Sequence, residues 1–483
     1  MNNRQLFPFL MGFLLFVACE NPNNVQVLNE LPPIYPDYTD ITIPCNMAPL
    51  NFLLRNQPEA MEVVLKGAFS QVRFFGTDKI RFSESRWKKF LQTEQGDTVS
   101  VRITAKVQGQ WIRYKPFDWT ITKDRIDSWL TYCLIEPGYE VRNKIQLRER
   151  NLENFSEKVF ADNNLTGQNC MNCHVFGNQN PNLSFFNLRG EKGGMVLNRN
   201  GHLRKINTQA NSLGISAAYG NLHPSGRYGV FSTNVVIPDF HTLLSKKLEV
   251  YDKASDLLVL DFDSNRIIQS PLVSGNDHLK TFPVFSADGN RIFYCVAPDK
   301  PLPDSIKQLK YSLCSIPFDT STGQFGDHVD TLLYMGDNGK SVSFPKPSPD
   351  GRFLLYCVSD YGTFPIRHRE TDLQMLNLIS GEISDLQIVN SDYSDSYHSW
   401  SSNSRWFVFA SKRDDGLYGK PYFCYVDSSG LAHKPFVLPQ QDPYYYDYTL
   451  QSFNVPELAT GKLPFSAADI ERLYWKESAE PFK

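Results

Sequence analysis

The chain lacks a charge imbalance: 49 Lys and Arg stand against 52 Asp and Glu, a formal net charge of −3 over 483 residues. There is no long basic run either, so nothing in it suits a nucleic-acid backbone. The apolar run from Leu6 to Ala18 is too short to span a bilayer and has the length of a secretory signal core. No nucleophile elbow occurs, so the serines of "SWSSNS" beside His398 do not make a hydrolase triad. The carboxylates of "GDHVD", "DSYH" and "DYSD" fall in turn regions, as solvated loops or a calcium contact would. The stretch "QNCMNCHVF" at 168–176 holds a CxxC pair, yet no second paired Cys/His cluster exists to complete a zinc site. Nor does a strand–turn–helix pattern surround it, as a thioredoxin-like dithiol requires.

What is present points to β structure. The length suggests two or three domains. Aromatics reach 13%, with 34 Phe and 23 Tyr, which favours strands. In "TVSVRITAKV", Val99, Val101, Ile103, Ala105 and Val107 alternate with polar residues, the pattern of a half-buried strand. "SESRWKKFLQ" reads as a short amphipathic helix capped by Ser83 or Ser85. Residues 41–130 are therefore expected to form a small β-sandwich. Residues 131–200 show little sustained periodicity and one expected helix, "ENFSEKVFADN", and read as an irregular segment needing a core from elsewhere.

The N-terminus, with Arg4, the apolar run and then Ala18–Cys19, resembles a bacterial lipobox, although Phe16 stands where Leu is usual. The resemblance implies a signal peptide over 1–18, lipidation of Cys19, and a tether over 19–40 rich in Asn and Pro. It places the protein in the bacterial cell envelope, lipid-anchored, periplasmic or surface-facing. An exported chain can keep disulfides, and Cys45 with Cys133 is one available pair. Cys295, Cys314, Cys357 and Cys424 fall in strand-like runs and read as core residues.

From about residue 200 the chain repeats. "YGNLHPSGRYGVF" at 219, "FPVFSADGNRIFY" at 282, "FPKPSPDGRFLLY" at 344 and "YHSWSSNSRWFVF" at 397 share an aromatic lead, a turn, and a β-rich run. Asp or Asn with Gly supplies the positive-φ corner between antiparallel strands. These stretches resemble the TolB-like β-propeller repeat. The first and fourth depart from it, with His223 for Ser and Asn403–Ser404 for Asp–Gly. The resemblance implies a propeller over 201–455, of five or six blades and six by preference, followed by a tail over 456–483. The run "GMVLNRNGHLRKIN" is expected to supply outer strands of a further blade. The C-terminal "YYYDYTLQSFNVPEL" is expected to complete that blade by strand exchange.

CMNCH resembles the haem-attachment motif of c-type cytochromes. The resemblance implies one covalent haem c, with Cys170 and Cys173 bonded to the macrocycle and His174 on the iron. Candidate distal ligands are Met195, His223, His241 and His398. The expectation is a mainly β protein: a sandwich, an irregular haem segment over 131–200, and a TolB-like propeller. Its expected role is electron transfer to a redox partner in the cell envelope. A haem enzyme with an open iron site and a protein-interaction scaffold stand as alternatives, so enzymatic activity is left open.

Overall fold

The computed structural model describes residues 25–137, 144–210, 217–240, 248–275, 277–336 and 339–482 and is mainly β. Cys19 and His241 lie outside the described residues.

The Thr98–Val107 strand is central to a seven-stranded N-terminal sheet, pairing with Ala60–Lys66, Gln110–Arg113 and Phe117–Thr122. Its alternation puts Val99, Val101, Ile103 and Ala105 in the core. A three-stranded sheet (Ile34–Tyr35, Phe52–Leu54, Lys79–Ile80) and the Glu84–Thr93 helix complete this region. Ser83 is the N-cap residue, and Trp87, Phe90 and Leu91 are buried. This core runs on without a break into Trp406, Phe423 and Phe436 near the C-terminal end of the chain.

Six further sheets follow, each a meander of antiparallel strands. The first comprises Trp129–Ile135, Ile145–Asn151 and Glu157–Asp162, with the late strand Ser452–Ala459 on the other edge of Trp129–Ile135. The second runs Met171–Gly177, Asn180–Leu188, Gly194–Arg199, His202–Asn207, with Glu480–Pro481 added in parallel. The next begin with Ala217–Leu222, His278–Phe285, Ser341–Pro347 and Asp395–Trp400. These leading strands pack side by side in chain order. Ser452–Ala459 touches both Asp395–Trp400 and Met171–Gly177.

The repeated turns have one chemistry. Ser286, Ser348 and Ser401 each accept from a backbone N–H five residues on, at 3.0 Å, and donate to Asp288, Asp350 and Asn403. Gly289 and Gly351 occupy the left-handed corner at φ +77° and +72°, and Ser404 takes the same place at +58°. In the first copy His223 replaces the serine and its Nδ1 lies 2.8 Å from Ser225 Oγ. The departures from the repeat seen in the sequence therefore keep the turn.

Three expectations change. The described residues of 131–200 are not an irregular segment; most form strands of the first two sheets. The stretch "ENFSEKVFADN" is not a helix but contains the Glu157–Asp162 strand, because pairing with Ile145–Asn151 places Phe160 against Phe186 and Phe465 at 6.1 and 5.9 Å. The C-terminal strand does not join the 194–207 strands; it pairs with Trp129–Ile135, whose edge is free to receive it. Cys45 and Cys133 sit in separate cores and form no disulfide with each other, while Cys295, Cys314, Cys357 and Cys424 are buried as expected.

Ser401→Ala should lower stability by about 1–3 kcal/mol, since it orphans the Trp406 N–H and frees Asn403. Urea unfolding midpoints measure this.

Candidate functional site: the central cavity

Each leading strand breaks register at one level. The ladder slips between Asn172 and Val175, Ala217 and Gly220, Thr281 and Val284, Ser343 and Lys346, and Ser396 and Ser399. The same slip separates Asn454 from Glu457 in the closing strand. The bulged pairs are Cys173–His174, Ala218–Tyr219, Phe282–Pro283, Phe344–Pro345, Tyr397–His398 and Val455–Pro456. A proline suits a bulge because its missing N–H is not needed in the ladder. Phe282, Phe344, Tyr397 and Val455 adopt φ of +51°, +51°, +50° and +47°. Left-handed backbone at non-glycine residues is costly and persists only where the surroundings enforce it.

That strain delivers rings to one place. Phe282 and Phe344 stack at 3.9 Å, with Tyr219 4.7 Å from Phe282 and Tyr397 4.7 Å from Phe344. Around them lies a cavity of ≈ 350 Å³. Its polar wall carries Asn172, His174, His398 and the Lys346–Glu457 ion pair at 3.0 Å.

The two histidines reach the wall from different sheets. His398 donates from Nε2 to the Leu355 carbonyl at 2.9 Å. Burial pushes its pKa down to about 3. His174 bonds through its ring to the Thr131 backbone, and burial lowers it to about 4, with Lys346 adding to the effect. Its Nε2 has no partner, nor has Asn172 Oδ1.

A long hairpin contributes to the lining. Tyr228–Phe240 and Leu248–Asp261 run beyond Thr233, the last residue paired to the leading strand, and Val236 and Val250 of this arm line the cavity. Tyr361 Oη donates to Glu249 Oε2 at 2.8 Å, and His368 Nε2 lies 3.7 Å from Glu249 Oε1. Asp252, at the base of the arm, is fully buried with the Asn234 side chain beside it, and burial raises its carboxyl to about 7.

The residues singled out from sequence are thus divided. His174 and His398 share the cavity wall. Met195 does not; it is packed among Phe185, Leu197, Ile206 and Phe231 between two sheets. His223 serves a turn, against Phe285 at 4.9 Å. Cys170 is exposed just before the Met171–Gly177 strand, and Cys173 lies within that strand. Joining a porphyrin through both sulfurs and the next imidazole needs the motif folded back on itself. A helical turn keeps residues four apart within about 6 Å along its axis, whereas a strand spreads them over about 13 Å. With Cys170 exposed before the strand and His174 buried in the wall, the motif as placed here is extended and does not fit one porphyrin. Among the described residues no cluster of three or more His, Cys, Asp or Glu is placed to hold a metal ion.

The aromatic collar was not singled out from sequence, yet a signal was there. "NCHVF", "AYGNL", "TFPVF", "SFPKP", "SYHSW" and "NVPEL" align position by position across the six leading strands.

No protein-family model and no curated protein matches the chain. Solved structures similar to it include an oligogalacturonate lyase in complex with manganese (12% identity, 61% of this chain, TM-score 0.24), which the chain matches over 55% of its length. Others are a Bacteroides caccae protein of the DUF4784 family (10%, 73% of this chain and 95% of that one, 0.30) and Porphyromonas gingivalis dipeptidyl peptidase 4 (10%, 60% and 52%, 0.24). Likeness at this level carries no argument about the site.

Two titrations of opposite sign should shape stability. His174 and His398 are held below the usual imidazole value, so their contribution is present above pH 6.5 and lost as pH falls through about 4 and 3. Asp252 is held above the usual carboxylate value, so its contribution is present below pH 4 and lost as pH rises through about 7. Asp252→Asn should therefore raise the Tm at pH 8 relative to that at pH 5, since the histidine effect is then no longer opposed, as measured by thermal unfolding.

Proposed function

We propose that the six sheets are the blades of a closed, TolB-like propeller tethered in the bacterial cell envelope by lipid on Cys19, and that it works as a binding protein whose ligand occupies the central cavity. Closure is supported by the neighbour order of the leading strands and by the Ser452–Ala459 strand bridging the two ends of the series. The observation that carries the binding reading is the wall itself. All six leading strands bulge at one level, four non-glycine residues bear positive φ there, and the space they enclose falls within the ordinary range of ligand pockets. A planar apolar probe such as 2-methylnaphthalene should raise Tm by a few degrees. Val250→Trp, which fills the cavity from the arm, should abolish that shift while leaving the unliganded protein folded. No shift in the parent protein with either this probe or its hydroxylated analogue 2-naphthol overturns the reading.

A second reading keeps electron transfer to an envelope redox partner through a haem c on Cys170, Cys173 and His174. The CxxCH spacing supports it, as does a buried His174 Nε2 without a partner. It requires the residues around Cys170 to leave their present path, since the motif is extended. A haem held there would pass one electron at a time; an open iron site would be the enzyme form of the same reading. Protein matured alongside the c-haem assembly machinery decides it. A Soret band and an added macrocycle mass on the 170–174 peptide support the haem, and free thiols with no added mass leave the binding reading alone.

A further inference from the structure

The cavity wall has a polarity that narrows its ligand. Asn172 and His174 both line the cavity from the same strand. Each holds a buried acceptor with no partner, Asn172 Oδ1 and His174 Nε2. The His174 ring proton is given to the Thr131 backbone, so the remaining nitrogen offers a lone pair. Of the other strong groups lining the cavity, His398 Nε2 is engaged with Leu355 and Lys346 with Glu457, while the exposed Arg367 is a further cation of the lining. Buried acceptors left unmatched by the protein are costly, and a ligand that supplies hydrogens to them recovers what folding left unmade.

The rest of the lining sets shape and charge. Phe282, Phe344, Tyr219 and Tyr397 present ring faces and edges to a flat molecule. The Lys346–Glu457 pair presents no net charge, and the apolar collar disfavours an ion of either sign.

We infer that the cavity takes a planar, uncharged ring bearing hydroxyl hydrogens, of the phenol or hydroquinone class, with its hydroxyls directed at Asn172 and His174. This rests on the binding reading above and specifies its ligand.

Two probes of nearly the same shape separate the claims: 2-naphthol, which carries a hydroxyl, and 2-methylnaphthalene, which carries a methyl in its place. Titration calorimetry on the full chain at pH 7 should show 2-naphthol binding roughly tenfold tighter, the scale of one recovered buried hydrogen bond. Asn172→Leu and His174→Phe should each reduce that preference while 2-methylnaphthalene still binds. Two substitutions are used so that one poorly folded variant, identified by circular dichroism, does not decide the matter. Equal affinity of the parent protein for both probes overturns the donor inference and leaves the binding reading standing. Binding of neither overturns both. A preference unchanged in both variants overturns the assignment to these two residues.

Discussion

The fold depends on one strand pairing made late in the chain. Ser452–Ala459 lies antiparallel to Trp129–Ile135, from Trp129 opposite Ala459 to Ile135 opposite Ser452. Without it the Trp129–Ile135 edge would stand open, and an open edge is a template for other chains. The pairing also places Glu457 beside Lys346 and brings Val455 to the level of the other bulges. Charged partners hold the same seam: Glu149 accepts from the Leu463 N–H, and Arg150 donates to Gln440 and Pro439. Contacts this distant in sequence are slow to form, because the loop entropy is lost before the pairing compensates it.

Once the series is joined, the bulges act together. A single bulge re-aims one side chain; six at one level build a wall. The left-handed backbone at Phe282, Phe344, Tyr397 and Val455 is the cost of that wall, offset by ring packing and by the prolines that follow three of them. The CMNCH motif belongs to this system. Its Cys173–His174 stands where an aromatic–proline pair stands in two sister strands, so the histidine is a wall residue whatever else it does. The tension between an extended strand and the folded-back form of a haem attachment is confined to the residues around Cys170, at the strand's beginning.

Much of the architecture was legible because it rests on local chemistry. The alternation of Thr98–Val107, the Ser83-capped helix and the Asp–Gly turns follow from side-chain period and backbone preference, and each formed where expected. The repeat from residue 200 was legible for the same reason. Of the two earlier sheets only the outer strands at 194–207 were legible, not the strands that lead them. The CxxCH drew attention to the thiols of Cys170 and Cys173 and away from the match of "NCHVF" to "TFPVF". The Glu157–Asp162 strand was missed because its residues favour a helix locally and only the neighbouring strand overrides this.

The sequence by itself determined the strands, the turns and the spacing of the repeats, since these depend on residues within a few positions of one another. Tertiary structure alone decided that His174 and His398 share a wall while Met195 is packed elsewhere, and that Ser452–Ala459 joins Trp129–Ile135. Those outcomes depend on which distant strands become neighbours. That is set by burial over the whole fold and carries no local signature.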